Sequence, residues 1–349
     1  MNTLDIQALR LLLPDSARPV LDGVDLTVAA RETVALVGES GSGKTLTSRS
    51  VLGLLPAGAA AEGAVRVVGD DVLTMTAGQL RLLRTSTAAM IFQDPRAAIN
   101  PMRRVGDFLT ESLRLNARMK KDAARARAVQ MLEAVGLSAA ALRKYPGQLS
   151  GGMLQRVMIA AALMGDPALI LADEPTTALD VTTQAEVVAL LGELRESFGT
   201  GLLFVTHDLG LAAAISDRVY VMYAGRIVET GPAEELFARP RHPYTAALLD
   251  STPRLDAPRG RLAAIEGRLP SLREEVVGCP FAARCAYATD LCGREAPALL
   301  PLAEGVAGVA GVAGSAGAAG HLASCHHSDR VRGASAGQDR SPARKESHR

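Results

Sequence analysis

Eight consecutive residues match the phosphate-binding pattern G-x-x-x-x-G-K-[ST] without a mismatch. They are Gly38, Glu39, Ser40, Gly41, Ser42, Gly43, Lys44 and Thr45. Glycine lets the backbone approach phosphate oxygens, and successive N–H groups at the start of a helix attract an anion. Lys44 would reach the β- and γ-phosphates of a nucleotide, and Thr45 would place its hydroxyl on Mg²⁺. The pattern favours nucleotide binding over an ordinary Gly/Ser turn before a buried helix.

Four polar side chains further along the chain follow apolar segments and could act on a nucleotide. Asp173 can hold Mg²⁺, and its neighbour Glu174 can orient and deprotonate the attacking water as a general base. His207 can donate a hydrogen bond to the γ-phosphate, and Gln93 can touch both metal and water. Taken singly, each has a structural alternative, because Asp173 and Glu174 could cap a turn and His207 could begin a helix.

A second possible anion site lies at Ser150, Gly151 and Gly152, which precede a predicted helix. A helix N-terminus attracts negative charge, yet the chain has one phosphate loop. The phosphate loop alone is compatible with kinases, GTPases and RecA-like motors, so the other motifs must discriminate between them.

The segments around these residues predict an α/β fold with a mostly parallel sheet. The apolar runs 33–37, 168–172 and 202–206 are typical of buried strands, and each leads directly into one of the polar groups described above. The amphipathic segment 181–198 lies between the last two runs. The resulting order of strand, helix and strand implies parallel pairing.

Two regions depart from this alternation. Residues 4–37 contain short predicted strands with turns, which indicates an antiparallel β-subdomain, and residues 218–229 are typical of a hairpin. From about residue 95 to residue 165 helical signals dominate, so we expect a helical subdomain inserted into the core. The predicted helices are 105–115, 121–135 and 152–163.

Taken in order, these motifs closely resemble the ATP-binding subunits of ABC transporters over about residues 4–250. Gln93 matches the Q-loop of that family, Ser150-Gly151-Gly152 its signature motif, Asp173-Glu174 its Walker B motif and His207 its switch histidine. The resemblance implies a P-loop NTPase fold and hydrolysis of ATP with bound Mg²⁺.

The resemblance also implies how the sites are shared between subunits. Mg²⁺ would be held by Thr45, Gln93 and Asp173. In ABC ATPases two nucleotide-binding domains join head to tail, and the signature of each, here Ser150 to Gly152, closes in trans over the ATP of the other. Asp180 resembles the D-loop at that interface. Because this chain has one copy of each motif, a second ATPase subunit is implied as its partner.

Within the superfamily, several motifs are similar to the oligopeptide/dipeptide importer class, which includes nickel systems. They are Phe-Gln-Asp-Pro at 92–95, Leu-Ser-Gly-Gly-Met with Gln-Arg at 149–156, Pro-Thr-Thr-Ala-Leu-Asp-Val at 175–181 and Arg-His-Pro-Tyr-Thr at 241–245. That class implies import of di- or oligopeptides across the bacterial cytoplasmic membrane by two different ATPase subunits, two permeases and an external solute-binding protein. The alternatives are import of another small solute such as nickel, and a soluble ABC ATPase without a transport role.

The chain departs from the family pattern where adenine binds. The family usually has an aromatic side chain on which adenine stacks near residues 11–15, and this chain has Leu-Leu-Leu-Pro-Asp there. Apolar contact would have to replace stacking. The sequence does not indicate which further residues supply it.

All four cysteines lie after residue 250, at Cys279, Cys285, Cys292 and Cys325. Disulfides are disfavoured inside the cell, so clustered thiols indicate a metal site, and all-thiolate ligation suits zinc or an iron–sulfur cluster. The C-x₂-C pair of zinc ribbons is missing. The run Gly-Cys-Pro-Phe at 278–281 with Arg-Cys at 284–285 resembles the extension of the importer class, which implies a [4Fe–4S] cluster. Zinc and unligated thiols are the alternatives.

The composition of the chain limits the kinds of partner that we expect it to bind. The chain has 349 residues, 38 Lys plus Arg and 37 Asp plus Glu, so its formal charge of +1 gives no general reason to bind nucleic acid. With 3% aromatic residues and no Trp, it has few platforms for stacking bases. Its start lacks signal-peptide features, and no run approaches the roughly 20 apolar residues of a membrane span. We expect a chain inside the cell that reaches the membrane through partners.

We therefore divide the chain into an ATP-binding domain, residues 1–250, and a cysteine-containing extension, residues 251–329. A Gly/Ala/Val segment at 305–320 is expected to be an insertion between the last two cysteines. The basic tail, residues 330–349, has the composition of a disordered segment.

Overall fold

The structure is a computed structural model that describes residues 2–116, 118–177, 179–252, 265–302 and 320–331. The expected insertion and tail lie outside these residues, except for Gly320, Arg330 and Val331. The strands are β1 Asn2–Leu12, β2 Leu21–Ala29, β3 Thr33–Val37, β4 Ala60–Val67, β5 Asp70–Asp71, β6 Ala88–Ile91, β7 Leu169–Asp173, β8 Gly201–Thr206, β9 Arg218–Tyr223, β10 Arg226–Pro232, β11 Leu300–Pro301 and β12 Leu322–Ala323. The helices are α1 Lys44–Ser50, α2 Ala77–Leu82, α3 Pro95–Ala98, α4 Val105–Leu115, α5 Lys121–Ala134, α6 Gly151–Leu163, α7 Val181–Phe198, α8 Leu209–Ile215, α9 Ala233–Ala238, α10 Pro243–Ser251 and α11 Asp290–Arg294.

The main sheet has the strand order β11-β12-β10-β9-β3-β8-β7-β6. The five strands from β9 to β6 are parallel, and the three at the other edge are antiparallel. Every residue of β3, β7 and β8 is buried, which is why their sequences are continuous apolar runs. The predicted α/β fold is confirmed. The carboxyl ends of these three strands meet at one edge, where ligands bind in open α/β sheets.

A second, antiparallel sheet has the order β2-β1-β4-β5. Its strand β1 is 11 residues long, whereas the sequence predicted short strands here. A bulge accounts for the difference, because the pairing register shifts around Ala8, whose φ is +46°. The Ala8 N–H donates to Asp25 Oδ1 at 2.8 Å, so the bulge keeps its hydrogen bond and the strand continues.

The helical insertion lies between β6 and β7 and contains α3 to α6. Its helices α4, α5 and α6 begin and end within one residue of the predicted bounds. Buried side chains such as Leu109, Leu132 and Val157 join them in one apolar core with the adjoining face of the main sheet. In the part of the chain that the structure describes, no helix has the length and apolar character to span a bilayer.

The extension continues the main sheet. Strand β12 pairs with β10, placing Ala323 opposite Glu229, and β11 pairs with β12. The ring of Phe281 packs against Tyr223 and Tyr244, with centroid distances of 5.2 and 5.4 Å. All three rings are buried, so the extension and the ATP-binding region share one apolar core.

Candidate nucleotide site

The phosphate loop joins β3 to α1 in a conformation that requires glycine. Gly38 has φ +152° and Gly43 has φ +114°, values that other residues rarely adopt. A Cβ atom on Gly38 would also lie 2.2 Å from the carbonyl oxygen of Met222 in β9. The loop can therefore pass close to the neighbouring strand before it enters α1.

Lys44 is 5% exposed and points back across the loop. Its Nζ donates hydrogen bonds to the carbonyl oxygens of Gly38 and Glu39 at 2.8 and 2.9 Å. Burial lowers the pKa of the Lys44 ammonium, while the nearby carboxylates of Glu174, Asp173 and Glu39 act in the opposite direction. The ammonium is therefore buried at the phosphate loop, where the negative charge of a bound phosphate would favour its charged form.

Thr45 and Asp173 meet at the end of β7. The Thr45 hydroxyl donates to Asp173 Oδ1 at 3.1 Å. Burial raises the pKa of the Asp173 carboxyl, and the hydrogen bond from Thr45 opposes this rise. A hydroxyl and a carboxylate oxygen placed side by side beside a phosphate loop are ligands that suit Mg²⁺, so these residues fit the metal that the sequence predicted.

The carboxylate of Glu174 contacts two other predicted site residues, Gln93 and His207. Its carboxylate accepts hydrogen bonds from Gln93 Nε2 at 2.9 Å and from the Thr177 hydroxyl at 3.1 Å, and it lies 3.3 Å from His207 Nδ1. The backbone of Glu174 has φ +47°, a conformation that costs energy for a residue with a Cβ atom and is concentrated at functional sites. The carboxylate is consequently held at the edge of the sheet in a fixed position.

These residues line a cleft of about 700 Å³, within the range of small-molecule sites. Its lining includes the predicted site residues Lys44, Thr45, Gln93, Glu174 and His207. Its remaining lining residues are Leu13, Val20, Ser40, Gly41, Gly43, Leu46, Thr177 and Leu272.

Sequence reasoning missed three apolar residues of this cleft: Val20, Leu46 and Leu272. Leu13 belongs to the run 11–15, where the sequence led us to expect apolar contact in place of stacking. Leu272 belongs to the extension, and no local motif marks it.

The signature residues lie apart from this cleft. Ser150 caps α6, its hydroxyl accepting a hydrogen bond from the Met153 N–H at 3.2 Å, and it is exposed. A Cβ atom on Gly152 would lie 2.7 Å from the Thr183 methyl group of α7. Asp180 caps α7 and accepts a hydrogen bond from the Thr183 N–H. The signature and the D-loop residue are therefore packed together on the surface, and no described residue of either lines the cleft.

The four cysteines line one small cavity in the extension and form no disulfide. Cys285 Sγ accepts a hydrogen bond from the Tyr287 N–H at 3.4 Å, and Cys325 Sγ accepts one from the His327 N–H at 3.3 Å. Burial raises the pKa of the thiols of Cys279, Cys285 and Cys325, that of Cys325 to about 11. Among the described residues, no three His, Cys, Asp or Glu side chains are grouped closely enough to hold one metal ion.

Comparison with known protein families gives two matches. Residues 21–177 match the family described as ABC transporter. Residues 228–292 match the family described as oligopeptide/dipeptide transporter, C-terminal region. The first range contains the phosphate loop and the signature, and the second contains the first three cysteines.

Individual relatives agree with both matches. The oligopeptide transport ATP-binding protein AppD of Bacillus subtilis is 45% identical over 291 residues, which are 82% of this chain and 89% of that protein. The protein OppD of Salmonella typhimurium, with the same description, is 43% identical over 298 residues, or 84% of this chain and 89% of that protein.

Solved structures of similar fold are also ABC proteins. The protein cbiO1 from Clostridium perfringens, part of the ABC transporter complex cbiONQ, has a TM-score of 0.61 at 26% identity and covers 68% of this chain and 91% of that one. A dimeric bacterial ABC transporter cassette has a TM-score of 0.59 at 27% identity and covers 66% of this chain and 98% of that one.

Proposed function

Because this chain belongs to the ATP-hydrolysing ABC transporter family of oligopeptide transport ATP-binding proteins, we propose that it powers import of di- and oligopeptides across the bacterial cytoplasmic membrane. Members of this family bind ATP together with Mg²⁺. The observation that carries the peptide assignment is the similarity, over more than four-fifths of the chain, to proteins named for oligopeptide transport. It favours peptides over nickel and over a soluble ATPase without a transport role.

In the proposed mechanism, the phosphate loop and Lys44 bind the phosphates, while Thr45, Asp173 and Gln93 hold Mg²⁺. Glu174 is the general base that takes a proton from the attacking water. This role is supported by its fixed position beside Gln93 and its 3.3 Å distance from His207 Nδ1. His207 would donate a hydrogen bond to the γ-phosphate as negative charge spreads over it.

The signature Ser150-Gly151-Gly152 acts on the ATP of a second ATPase subunit in this proposal. Support comes from its exposed position away from the cleft and from the dimeric state of the related cassette. The partner would be a different ATPase chain, giving a heterodimer. Two permeases and an external solute-binding protein would complete the assembly, with this chain peripheral at the cytoplasmic face of the membrane.

Reconstituted transport tests this function. The chain, its partner ATPase, the permeases and the binding protein are placed in proteoliposomes, and uptake of a radiolabelled tripeptide is measured with and without ATP. We expect ATP-dependent peptide uptake that is lost in Glu174→Gln. Uptake of ⁶³Ni²⁺ without peptide uptake would favour the nickel alternative, and ATP hydrolysis without uptake of either would contradict a transport role.

For the extension, we propose a [4Fe–4S] cluster held by Cys279, Cys285, Cys292 and Cys325. The four thiols fit this group because they line one cavity, and backbone N–H groups already point at two of the sulfurs, as hydrogen bonds to cluster ligands do. The preference for a cluster over a single zinc ion rests on the resemblance of Gly-Cys-Pro-Phe at 278–281 with Arg-Cys at 284–285 to the extension of the importer class. When bound, the cluster would gather the segments of the extension and could exchange an electron.

The cluster proposal is checked on anaerobically purified protein. We expect a brown protein with broad absorption near roughly 400 nm and bound iron, both reduced in Cys285→Ser. Colourless protein with stoichiometric zinc would replace the proposal with the zinc alternative.

A further inference from the structure

The extension contacts the nucleotide site at two places. Leu272 lines the cleft together with Leu13 and Val20. Arg284 contacts Glu39 of the phosphate loop. Both contacts come from the same short stretch of the extension, which begins at about residue 265.

The first contact places an apolar side chain of the extension in the lining of the cleft. Leu272 packs with Leu13 against the core between the two sheets. Its backbone carbonyl accepts a hydrogen bond from the Ala17 N–H at 2.9 Å. Arg18 fixes the same stretch, donating hydrogen bonds to the carbonyl oxygens of Ser271 at 3.2 Å and Pro270 at 2.7 Å. Leu272 is thus anchored beside the turn that lacks an aromatic side chain.

The second contact neutralises an acidic residue in an anion site. Glu39 would repel phosphate oxygens if its carboxylate were unpaired. Both of its oxygens accept hydrogen bonds from Arg284, at 2.7 and 2.9 Å, and the Arg284 side chain is 5% exposed. The Glu39 N–H also donates to the Tyr244 hydroxyl at 2.8 Å. The bidentate pair therefore fixes the loop and offsets its negative charge.

We propose that the extension completes the nucleotide site: Leu272 contacts the base, and Arg284 is a positioning residue that acts on the phosphates through Glu39. The base contact would be apolar packing in place of stacking. This inference rests on the ATP binding of the proposed function and does not depend on which solute is transported. Failure of peptide uptake would leave it intact, because its tests measure nucleotide binding.

The base contact is tested with two probes, MgATP and inorganic tripolyphosphate, which lacks a base. Leu272→Ala in the full chain should raise the Kd for ATP about three- to tenfold, as expected for loss of apolar contact, and leave that for tripolyphosphate unchanged. Leu272→Phe keeps a large apolar side chain and should bind ATP as tightly as the unmodified chain. The matched control is Val277→Ala, an exposed residue of the same stretch. Equal losses for both probes, or no difference from the control, would overturn the base contact.

The phosphate contact is tested by a double-mutant cycle. Arg284→Gln leaves Glu39 unpaired and should raise the Kd of both probes on the order of tenfold. Adding Glu39→Gln removes the repulsion and should restore most of the affinity, which a purely structural role of Arg284 would not predict. Arg273→Gln, at an exposed arginine, is the control. A double variant that binds no better than Arg284→Gln would overturn the positioning role.

Discussion

Glu174 combines a strained backbone with side-chain contacts from three separate segments. Gln93 follows β6, Thr177 follows β7 and His207 follows β8, and all three reach its carboxylate. Such a backbone conformation costs energy, and the three contacts hold the carboxylate at the cleft, as the proposed general-base role requires.

At this scale we predict the effect of Glu174→Gln. The amide keeps the size of the side chain but cannot accept the proton of the attacking water, so turnover should fall about a hundredfold or more while ATP binding persists. Steady-state ATPase assays and ATP titrations of the assembled subunits measure both quantities. Glu193→Gln, an exposed position on α7, is the control. Turnover within about twofold of the unmodified protein would contradict the general-base role.

The helix α6 presents its N-terminus on the surface, capped by Ser150 and packed against α7. An isolated helix end of this kind has unpaired N–H groups that favour a negative ligand. No described residue of the signature lines the cleft of its own chain, in agreement with the proposed action of the signature on the ATP of a second subunit.

This arrangement predicts the outcome of Ser150→Arg. In the mixed dimer with an unmodified partner, the bulky substitution should impair hydrolysis at the site whose phosphate loop belongs to the partner. ATP binding to the isolated mutant chain should be unchanged, because Ser150 does not line the cleft of its own chain. Equilibrium titration of the isolated chain and single-site ATPase assays of the dimer measure the two effects, with Ser197→Arg as control. Loss of ATP binding by the isolated chain would show that the signature works in cis.

Local signals explain which elements the sequence predicted well. Helix α7 was predicted at its observed bounds because Asp180 caps its start and Gly199, with φ +68°, ends it. Strand β1 is longer than the sequence predicted, because the bulge at Ala8 interrupts its alternation of buried and exposed residues. The roles of Leu272 and Arg284 could not be predicted, because they arise from packing between distant segments. An acidic residue at position 39 of an anion-binding loop was the one local signal that a counter-charge was needed.

The whole molecule is held together across the expected boundary at residue 250. Phe281 completes a cluster of buried rings with Tyr223 and Tyr244, and β12 covers the edge of β10. The sequence led us to divide the chain into an ATP-binding domain, residues 1–250, and an extension. The structure instead indicates that residues 1–250 alone would expose this cluster and an unpaired strand edge.

We therefore predict that a chain ending at residue 252 is less stable and binds ATP more weakly. Loss of the Phe281 packing alone costs about 3–5 kcal/mol, enough to lower the melting temperature by about 5–10 °C. Thermal unfolding with and without MgATP measures the change. A chain ending at residue 331 is the control, since it keeps every described segment. Unchanged melting and unchanged ATP affinity in the shorter chain would restore the two-part organisation inferred from the sequence.

The pairing of Glu39 with Arg284 also bears on synthesis of the protein. On the ribosome, the phosphate loop emerges early, and the arginine that neutralises its acidic residue emerges only after most of the chain has been translated. Until then the loop carries an unpaired negative charge that opposes phosphate binding. Because loss of the Arg284 contact is expected to weaken ATP binding about tenfold, chains still growing on the ribosome should hold less ATP than finished ones.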